Sequence, residues 1–459
     1  MKPMNVFYIH THDSGNIISP YGYKVPSPNL EKFGEGSTLF RNAFATAPTC
    51  SPSRGSLLTG QYPSTHGMIG LCNRNFQLAN KDHHLAKYMS SLNYDTALCG
   101  IQHEAGHYND SKLVYKDIGY MYDLSSENEL KDMTDKREWD NENVSSAIKW
   151  LEEREKNNPL FLSLGFFGTH RQFPKADKDY RSTPPMGLAQ NEVVSEDFND
   201  YCASLENVDN NFKIFIDALD RLGYKDNSII IFTSDHGIGF PFGKSTLYDG
   251  GTKVALIISK PGNKTAGQIS NRLVSQVDIF PTLCDLLDIE KPQWLQGSSF
   301  ANEFINKDNE PGGPIFSEMT FHTSYEPARA IRNDRFKLIK YYDQSYPNQN
   351  LSNINESVTK YEYIDKGLQE RNKSMIQLYD LFFDPNEKNN LANDPNYQGT
   401  LKELDSQLEA WRVSVGDPIL NDNFTWENNW VVNKKESIIP SSKEPSDYVV
   451  GHGKEFSKK

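Results

Sequence analysis

The 459-residue chain contains no apolar run near the roughly 20 residues that would cross a lipid bilayer. Its N-terminus also lacks the apolar core of a signal peptide, and Val6–Ile9 has the composition of a strand instead. We therefore expect no membrane partner and a cytoplasmic location. The length predicts about three domain-sized units.

Positive charge is in deficit as well. The 48 basic residues are outnumbered by 61 acidic ones, so the formal net charge is −13 at pH 7. Such a chain is a poor partner for nucleic acid or for an anionic membrane surface. An anionic substrate is not excluded, because a local cationic pocket can form on an acidic protein.

Cysteine is scarce, and its spacing matches no metal-binding pattern. The odd number makes a disulfide framework unexpected. Cys99 and Cys284 lie in apolar surroundings and are interpreted as core residues. The five cysteines are Cys50, Cys72, Cys99, Cys202 and Cys284.

Internal repeats and low-complexity blocks are absent. Over residues 1–310, short apolar runs alternate with amphipathic segments, which predicts a mostly parallel sheet flanked by helices on both faces. The polar stretch Lys307–Pro314 is rich in proline, glycine and charge and marks a boundary. We therefore predict a catalytic domain over 1–310 and a smaller α+β domain with a surface tail over 311–459.

Strands and helices are predicted from these patterns. Strands are expected at Asn5–His10, Asp95–Gly100, Pro159–Phe167, Ser228–Thr233, Val254–Ser259 and, as antiparallel strands, within Ala328–Tyr342. Helices are expected at Pro28–Phe33 with Ser27 as N-cap, Ser53–Thr59, Leu85–Leu92, Val144–Lys156, Glu196–Leu222, Gln276–Leu287 and Leu401–Val413.

Chemically capable residues follow directly on four of the predicted strands. In open α/β sheets, sites form at the carboxyl ends of strands. Four strands that end in histidine or aspartate therefore predict one shared pocket. In chain order these residues are His12, Asp13, His103, His170, Asp235 and His236.

The two Asp and His pairs are candidate metal ligands. Asp235 and His236 can bind a divalent cation, or instead serve as a helix N-cap and a hydrogen-bonded histidine. Asp13 is a candidate ligand in the same way, while His12 is either a ligand or a neighbour of one. If all four act, two carboxylates and two imidazoles form a donor set that is less typical of Ca²⁺ than an all-oxygen cage.

Residues 50–60 read Cys-Ser-Pro-Ser-Arg-Gly-Ser-Leu-Leu-Thr-Gly. A buried structural cysteine in a turn is the alternative interpretation of Cys50 taken alone. As a whole, however, the run resembles the signature of type I sulfatases. Further similarity to that family, closest to the sulfamidases (heparan N-sulfatases), lies in Phe40–Phe44, Phe232–Tyr248, Leu378–Leu381, Asp384–Glu387, Asn390–Ala392 and Gln407–Pro418.

The resemblance implies an alkaline-phosphatase-like core and a role for several single residues. Cys50 would be oxidised by a maturase to formylglycine, whose hydrated aldehyde attacks sulfur. The N-terminus of the helix predicted from Ser53 would favour an anion beside it. The other implied catalytic residues are Arg54, His103, His170 and Lys244, beside a metal held by His12, Asp13, Asp235 and His236.

Two positions depart from the family pattern. Ile101 stands where a lysine is usual, so Arg54, Lys244 and Arg171 become candidates for the missing cation. His12 replaces an aspartate, so the identity of the metal is left open. The resemblance implies Ca²⁺, with Mn²⁺ or Zn²⁺ as alternatives. Glu104 and His107 are either substrate contacts or surface residues.

We therefore expect a sulfatase that hydrolyses a sulfate ester or sulfamate, on an amino sugar or a small heparin- or heparan-type saccharide. One alternative is a phosphonate monoester or phosphodiester hydrolase on the same scaffold. The other is a catalytically silent homologue that binds sulfated sugar. The oligomeric state stays open.

Overall fold

The computed structural model describes residues 3–106, 114–128, 135–306, 312–421 and 423–453. These residues form a nine-stranded mixed sheet flanked by helices and a separate four-stranded antiparallel sheet. The predicted α/β core with a smaller C-terminal α+β region is confirmed. The predicted boundary between residues 310 and 311 lies outside the described residues and stays a prediction. In the described part of the chain, no helix combines the length and the apolar composition needed to cross a membrane.

The large sheet is mostly parallel around its centre. Its spatial order is β4-β3-β5-β1-β6-β8-β2-β7, and β9 pairs with β2. Strands β3, β5, β1 and β6 run parallel, whereas β8 is antiparallel to both β6 and β2. The strands are β1 (Asn5–Thr11), β2 (Thr38–Phe44), β3 (Asp95–Gly100), β4 (Tyr122–Asp123), β5 (Leu160–Gly165), β6 (Ser228–Ser234), β7 (Lys253–Val254), β8 (Leu256–Ser259) and β9 (Ile269–Ser275).

Helices cover both faces of this sheet. They are α1 (Pro28–Glu35), α2 (Cys50–Thr59), α3 (Pro63–His66), α4 (Leu85–Ser91), α5 (Val114–Asp117), α6 (Lys136–Glu153), α7 (Glu192–Arg221), α8 (Asp249–Thr252) and α9 (Ile279–Leu287).

The central strand β1 is buried along its whole length. Val6 and Tyr8 belong to the apolar core that includes residues of α2, α4 and α9, whereas Phe7 and Ile9 belong to the core that includes α1, α6 and α7. This alternation follows from the two-residue period of a strand. Because both faces are filled mainly by apolar packing, a site for charged groups is expected at the strand ends.

The second sheet has the order β10-β11-β12-β13 with antiparallel pairing throughout. Helix α11 packs against β11 and β12 and contributes Leu404 and Leu408 to a separate apolar core. The elements are β10 (Ile315–Phe321), β11 (Tyr325–Arg332), β12 (Phe336–Tyr341), α10 (Val358–Asp365), β13 (Ile376–Asp380) and α11 (Gln398–Ser414).

Several predicted bounds were wrong. Helix α2 begins at Cys50 rather than Ser53, and α6 begins at Lys136 rather than Val144. The α6 start has its own cap, because the Asp135 side chain accepts the Arg137 N–H. Ser27 precedes α1 as predicted, but its hydroxyl bonds to Ser19 instead of capping the helix.

Candidate active site

The strand ends named by the sequence meet at one place. His12 and Asp13 follow β1, while Asp235 and His236 follow β6, its parallel neighbour. The His12 ring centroid lies 4.4 Å from that of His170, beyond β5, and 5.8 Å from that of His103, beyond β3. The predicted convergence of four strands into one pocket is therefore observed.

Two carboxylates lie at the centre of the pocket, and both are fully buried. Asp13 Oδ1 lies 2.7 Å from His12 Nδ1 and 3.2 Å from His236 Nε2. Asp235 Oδ1 accepts the N–H groups of Asp13 and His236, each at 2.9 Å. Burial alone would raise the pKa of Asp13, but Lys244 and the surrounding imidazoles hold this pKa well below its usual range. Burial would raise the pKa of Asp235 as well, but His236 and Arg54 lower it, so both carboxylates are ionised beside two cations.

Five side chains around this centre can each offer one donor atom to a single ion. Their ligand atoms all lie within 4.8 Å of one another, and the residues are His12, Asp13, Cys50, Asp235 and His236. Two carboxylates with two imidazoles form a donor set that is compatible with one divalent ion.

The tautomer of His236 is set by its backbone neighbour. Its Nδ1 donates to the carbonyl of Gly237 at 2.9 Å, so in the neutral ring the lone pair sits on Nε2. This Nε2 lies 3.3 Å from the sulfur of Cys50 and 3.6 Å from Asp235 Oδ2. Burial lowers the pKa of His236 despite the nearby carboxylates, which keeps the ring neutral and able to ligate.

Cys50 is the first residue of α2 and is 2 % exposed. Its Sγ lies 3.9 Å from Asp13 Oδ1. Burial raises the pKa of the thiol, with Lys244 only partly opposing the effect. Cys50 thus lies at the N-terminus of α2, a position that favours an anion. The thiol itself is not ionised, because its pKa is raised.

Arg54, one turn further along α2, is 1 % exposed and fixed on two sides. Its Nη2 donates to Asp235 Oδ2 at 3.0 Å, and its Nη1 lies 2.6 Å from Nδ1 of His10. Because arginine only donates, His10 Nδ1 must accept, so the His10 Nε2–H donates to Ser163 at 3.2 Å. His10 was not anticipated, although a histidine inside an otherwise apolar strand could have indicated it.

Lys244 reaches the same centre from a loop after β6. Its Nζ donates to both oxygens of Asp13, at 3.0 and 2.8 Å. Burial would lower the pKa of Lys244, but Asp13 raises it above its usual value. The loop is held by the Lys244 N–H, which donates to Ile238, and the Ser245 N–H, which donates to Pro48, each at 2.8 Å.

His170 and Arg171 point in different directions. His170 Nδ1 donates to the backbone carbonyl of Arg171, which leaves Nε2 3.8 Å from Asp13 Oδ2. Arg171 forms a bidentate pair with Asp197 at 2.7 Å and lies over the ring of Phe240. The expectation that Arg171 could replace the missing lysine of the pocket is therefore wrong, since its guanidinium bonds to Asp197 and the Gly239 carbonyl, not to Asp13 or Asp235.

The segment after β3 is buried rather than superficial. Ile101 packs with Trp139 and Phe167 in a small apolar cluster and contributes no charge to the pocket. Glu104 is 2 % exposed, and burial raises its pKa to about 8, although Arg54 opposes the shift. A surface position for Glu104 is thus wrong, while His107 lies outside the described residues.

The second sheet also contributes to the surroundings of the pocket. His322 directly follows β10, is 6 % exposed, and its lowered pKa reflects burial first and then the charges of Lys244 and Arg74. The amide nitrogen of Asn355 and the carboxylate of Asp13 both lie beside Gly239. Neither residue was predicted, because the strand-end argument applies to the parallel sheet alone.

Comparison with known families supports an enzymatic role for this pocket. The family model described as "Sulfatase" matches residues 5–289, and the one described as "N-sulphoglucosamine sulphohydrolase, C-terminal" matches residues 235–357. The first covers the large sheet with all the strand ends, and the second begins at Asp235.

Individual proteins agree with the family match. An "Ulvan-active sulfatase" of Formosa agariphila is 27 % identical over 443 residues, covering 92 % of this chain and 82 % of the relative. Human "N-sulphoglucosamine sulphohydrolase" is 24 % identical over 471 residues and 91 % of each chain. The crystal structure of the phosphonate monoester hydrolase of Agrobacterium radiobacter has a TM-score of 0.69 at 21 % identity, covering 90 % of this chain and 96 % of the other. This last likeness shows the shared fold.

Proposed function

Because the chain belongs to the sulfatase family, a family of sulfuric ester hydrolases, we propose that it removes sulfate from a small sulfated saccharide, as a sulfate ester or a sulfamate. The observation that carries the proposal is the position of Cys50 at the start of α2, 3.3 Å from His236 and beside both central carboxylates. The match to the N-sulphoglucosamine sulphohydrolase C-terminal model favours an amino sugar of the heparin or heparan type.

Cys50 would act after conversion to formylglycine, whose hydrated aldehyde supplies an oxygen nucleophile. The thiol itself is unsuited to attack, because burial raises its pKa and keeps it protonated. Since the side chain is 2 % exposed and starts a buried helix, a maturing enzyme would have to act before the chain folds.

Asp13, Asp235 and His236 would hold one divalent cation, with His12 as a further donor. The cation would polarise the sulfate oxygens and lower the pKa of the nucleophile. The imidazole donors favour Mn²⁺ or Zn²⁺ over the Ca²⁺ that family resemblance alone implies.

The remaining residues stabilise charge and move a proton. Arg54 and Lys244 bring two permanent positive charges to the centre, and the N–H groups of α2 add a partial one. His170 exposes 24 % of its side chain, and burial lowers its pKa although Asp13 opposes the change. Once protonated it is a stronger acid than a free imidazole, which suits proton transfer to the departing oxygen or nitrogen.

A second candidate, a phosphonate monoester or phosphodiester hydrolase, rests on the charge count of the pocket. Arg54 and Lys244 are already bonded to Asp235 and Asp13, and Ile101 adds no cation. A singly charged group therefore fits better than a dianionic phosphomonoester. Sulfate esters, sulfamates, phosphonate monoesters and phosphodiesters all share that single charge.

Turnover by matured protein tests these alternatives directly. Disaccharides with a single N-, 2-O- or 6-O-sulfate should be compared with a phosphonate monoester and a phosphodiester, using released anion as the readout. We expect the highest kcat/KM for one of the sulfated sugars. A higher kcat/KM for the phosphonate would favour the second candidate, and binding of sulfated sugar without any turnover would favour a silent homologue.

A further inference from the structure

A cavity of about 670 Å³ lies between the loop that follows Lys244 and a segment of the C-terminal region. This volume falls within the range of small-molecule sites in proteins, roughly 300–1,000 Å³. Its walls combine aromatic rings with polar and charged side chains, among them Phe242, Tyr248, Arg371 and Lys388. No residue assigned above to the reaction lines it.

Two cations in this wall have no acidic partner. Arg371 and Lys388 are exposed, and neither forms an ion pair with any residue in the described ranges. Lys366 adds a third cation, only loosely paired with Glu362 at 3.9 Å. On a chain with net charge −13, such unpaired cations around a cavity form a local site for an anion.

Of the three acidic residues in the same wall, Asp249 and Glu387 are compensated by cations outside the pair Arg371 and Lys388, whereas Glu362 bonds to Asn191 Nδ2 at 2.9 Å and only loosely to Lys366. Asp249 lies 2.6 Å from Lys337 Nζ and 3.4 Å from Arg332 Nε. Glu387 accepts from Lys337 at 2.8 Å and from the Asp249 N–H at 2.6 Å. Asp249 and Glu387 are therefore paired with Lys337 and Arg332 and leave the charges of Arg371 and Lys388 available.

One loop connects this cavity to the reaction centre. Phe242 has a left-handed backbone with φ +62°, an uncommon conformation for a bulky residue. Its ring lines the cavity, packing at 5.7 Å from Tyr363, while Lys244, two residues on, extends to Asp13. The left-handed turn thus places a cavity wall and the Lys244 cation only two residues apart.

We propose that this cavity binds a second anionic group, a sulfate or a uronate carboxylate, on an oligosaccharide whose scissile sulfated unit occupies the reaction centre. The proposal rests on the proposed saccharide sulfatase function. It names a polyanionic oligosaccharide, rather than a monosaccharide, as the preferred substrate class. Tyr248 and Phe242 would supply apolar surface for the sugar ring that carries the second anion.

The test separates binding from turnover by using the Cys50→Ala protein. Binding of a heparin-derived tetrasaccharide, of N-sulfated glucosamine and of an uncharged chitin tetrasaccharide is measured by calorimetry. The double change Arg371→Ala/Lys388→Ala is then introduced into the same protein. The matched control is Lys213→Ala/Lys225→Ala, which removes two exposed lysines that are already paired with acids and do not line the cavity.

We expect the cavity variant to weaken tetrasaccharide binding about tenfold, as expected for two partly exposed charge contacts, and to leave the monosaccharide unchanged. In active protein the same change should raise KM for the tetrasaccharide and leave kcat unchanged. Equal losses in the control variant, equal losses for the monosaccharide, or no tetrasaccharide binding at all would overturn the proposal. Cavity-dependent binding without turnover of any sulfated sugar would instead refute the proposed catalytic function and leave the cavity site intact.

Discussion

The reaction centre and the cavity beside it both contain charged side chains, but these are buried and paired at the centre and exposed in the cavity wall. At the centre, Asp13 and Asp235 are fully buried and bonded to Lys244 and Arg54. In the cavity wall, Arg371 and Lys388 are exposed and unpaired within the described residues. Buried charges must be compensated inside the fold, because desolvation is costly. Exposed ones remain available to a ligand.

This difference predicts very unequal costs of mutation. Changes at the centre should remove both chemistry and folding energy, because each side chain there has several buried partners. Changes in the cavity should alter affinity alone, by the small amounts typical of exposed charges.

The largest effect is expected for Cys50→Ala. Loss of the nucleophile precursor should lower kcat by at least about a thousandfold. Cys50→Ser should also be severely impaired, since serine has only one hydroxyl with which to attack and none to expel sulfate. Released sulfate is the activity readout, and peptide mass spectrometry of wild-type protein from a maturase-bearing host should show aldehyde oxygen in place of sulfur. Substantial turnover by Cys50→Ala would contradict the role.

Asp235→Asn tests the buried ion pairs of the centre. It should abolish metal binding, measured by elemental analysis, and leave Arg54 without its carboxylate at 3.0 Å. Breaking a buried pair in this way destabilises a protein by about 3–5 kcal/mol. The matched control is Asp417→Asn, which removes the buried carboxylate bonded to Arg329 at 2.6 Å. The control should lose stability but keep the metal; a metal-replete Asp235→Asn protein would refute the ligand assignment.

Ile101→Lys tests whether a third cation can be added to the centre. Because Ile101 is buried against Trp139 and Phe167, a lysine here must bury a charge in a mainly apolar cluster, which should lower the melting temperature. The ratio of phosphomonoester to sulfate turnover should stay unchanged. Ile101→Met, which keeps volume and apolarity, should cost less than about 1.5 kcal/mol. A stable Ile101→Lys protein with a raised ratio would show that the position does face the substrate.

Asp140 differs from Asp13 and Asp235, because this buried carboxyl has no cationic partner among the described residues. Its contribution to stability should therefore depend on pH. It accepts the N–H groups of Phe167 and Gly168 at 2.9 and 2.8 Å, and burial raises its pKa to about 7. In the unfolded chain the pKa of Asp140 is about 4, so the unfolded state loses this proton at a lower pH than the folded state. The free energy of unfolding therefore falls as the pH rises from about 4 towards 7.

Asp140→Asn should remove that dependence and also lose one acceptor, at a cost of about 1–3 kcal/mol. The melting temperatures of wild type and variant should therefore be compared at pH 5 and at pH 7.5. We expect the larger difference between the two proteins at pH 5. A gap that widens towards pH 7.5 would mean that the carboxylate is stabilised as the anion. Asp200→Asn, at a carboxyl paired with the exposed Lys175, serves as the control.

The smallest effect concerns salt. Added salt screens exposed charges strongly and buried ones weakly. Raising ionic strength from 0.05 to 0.5 M should increase KM for the tetrasaccharide more than KM for the monosaccharide, and this difference should vanish in Arg371→Ala/Lys388→Ala. If salt raises KM equally for both substrates, only the reaction centre contributes electrostatically to substrate binding.

Much of the reaction centre could be predicted from the chain alone, because it depends on local features. A parallel sheet brings the carboxyl ends of its strands to one edge, so His12, His170 and Asp235 were expected together before their distances were known. The motif at Cys50 is likewise a contiguous run. Periodicity located the central strands and most of the helices, but β2, β9, β10, β13 and α10 were not predicted, and the starts predicted for α2, α6 and α7 were wrong.

What the tertiary structure alone decided are the pairings between distant segments. Lys244 bonds to Asp13 across 231 residues of sequence, Arg171 bonds to Asp197, and Ile101 packs against aromatic rings. The cavity joins the loop after β6 to residues beyond α10. Periodicity and motifs report short-range constraints, whereas charge compensation and cavity shape depend on which distant segments the folded chain brings into contact.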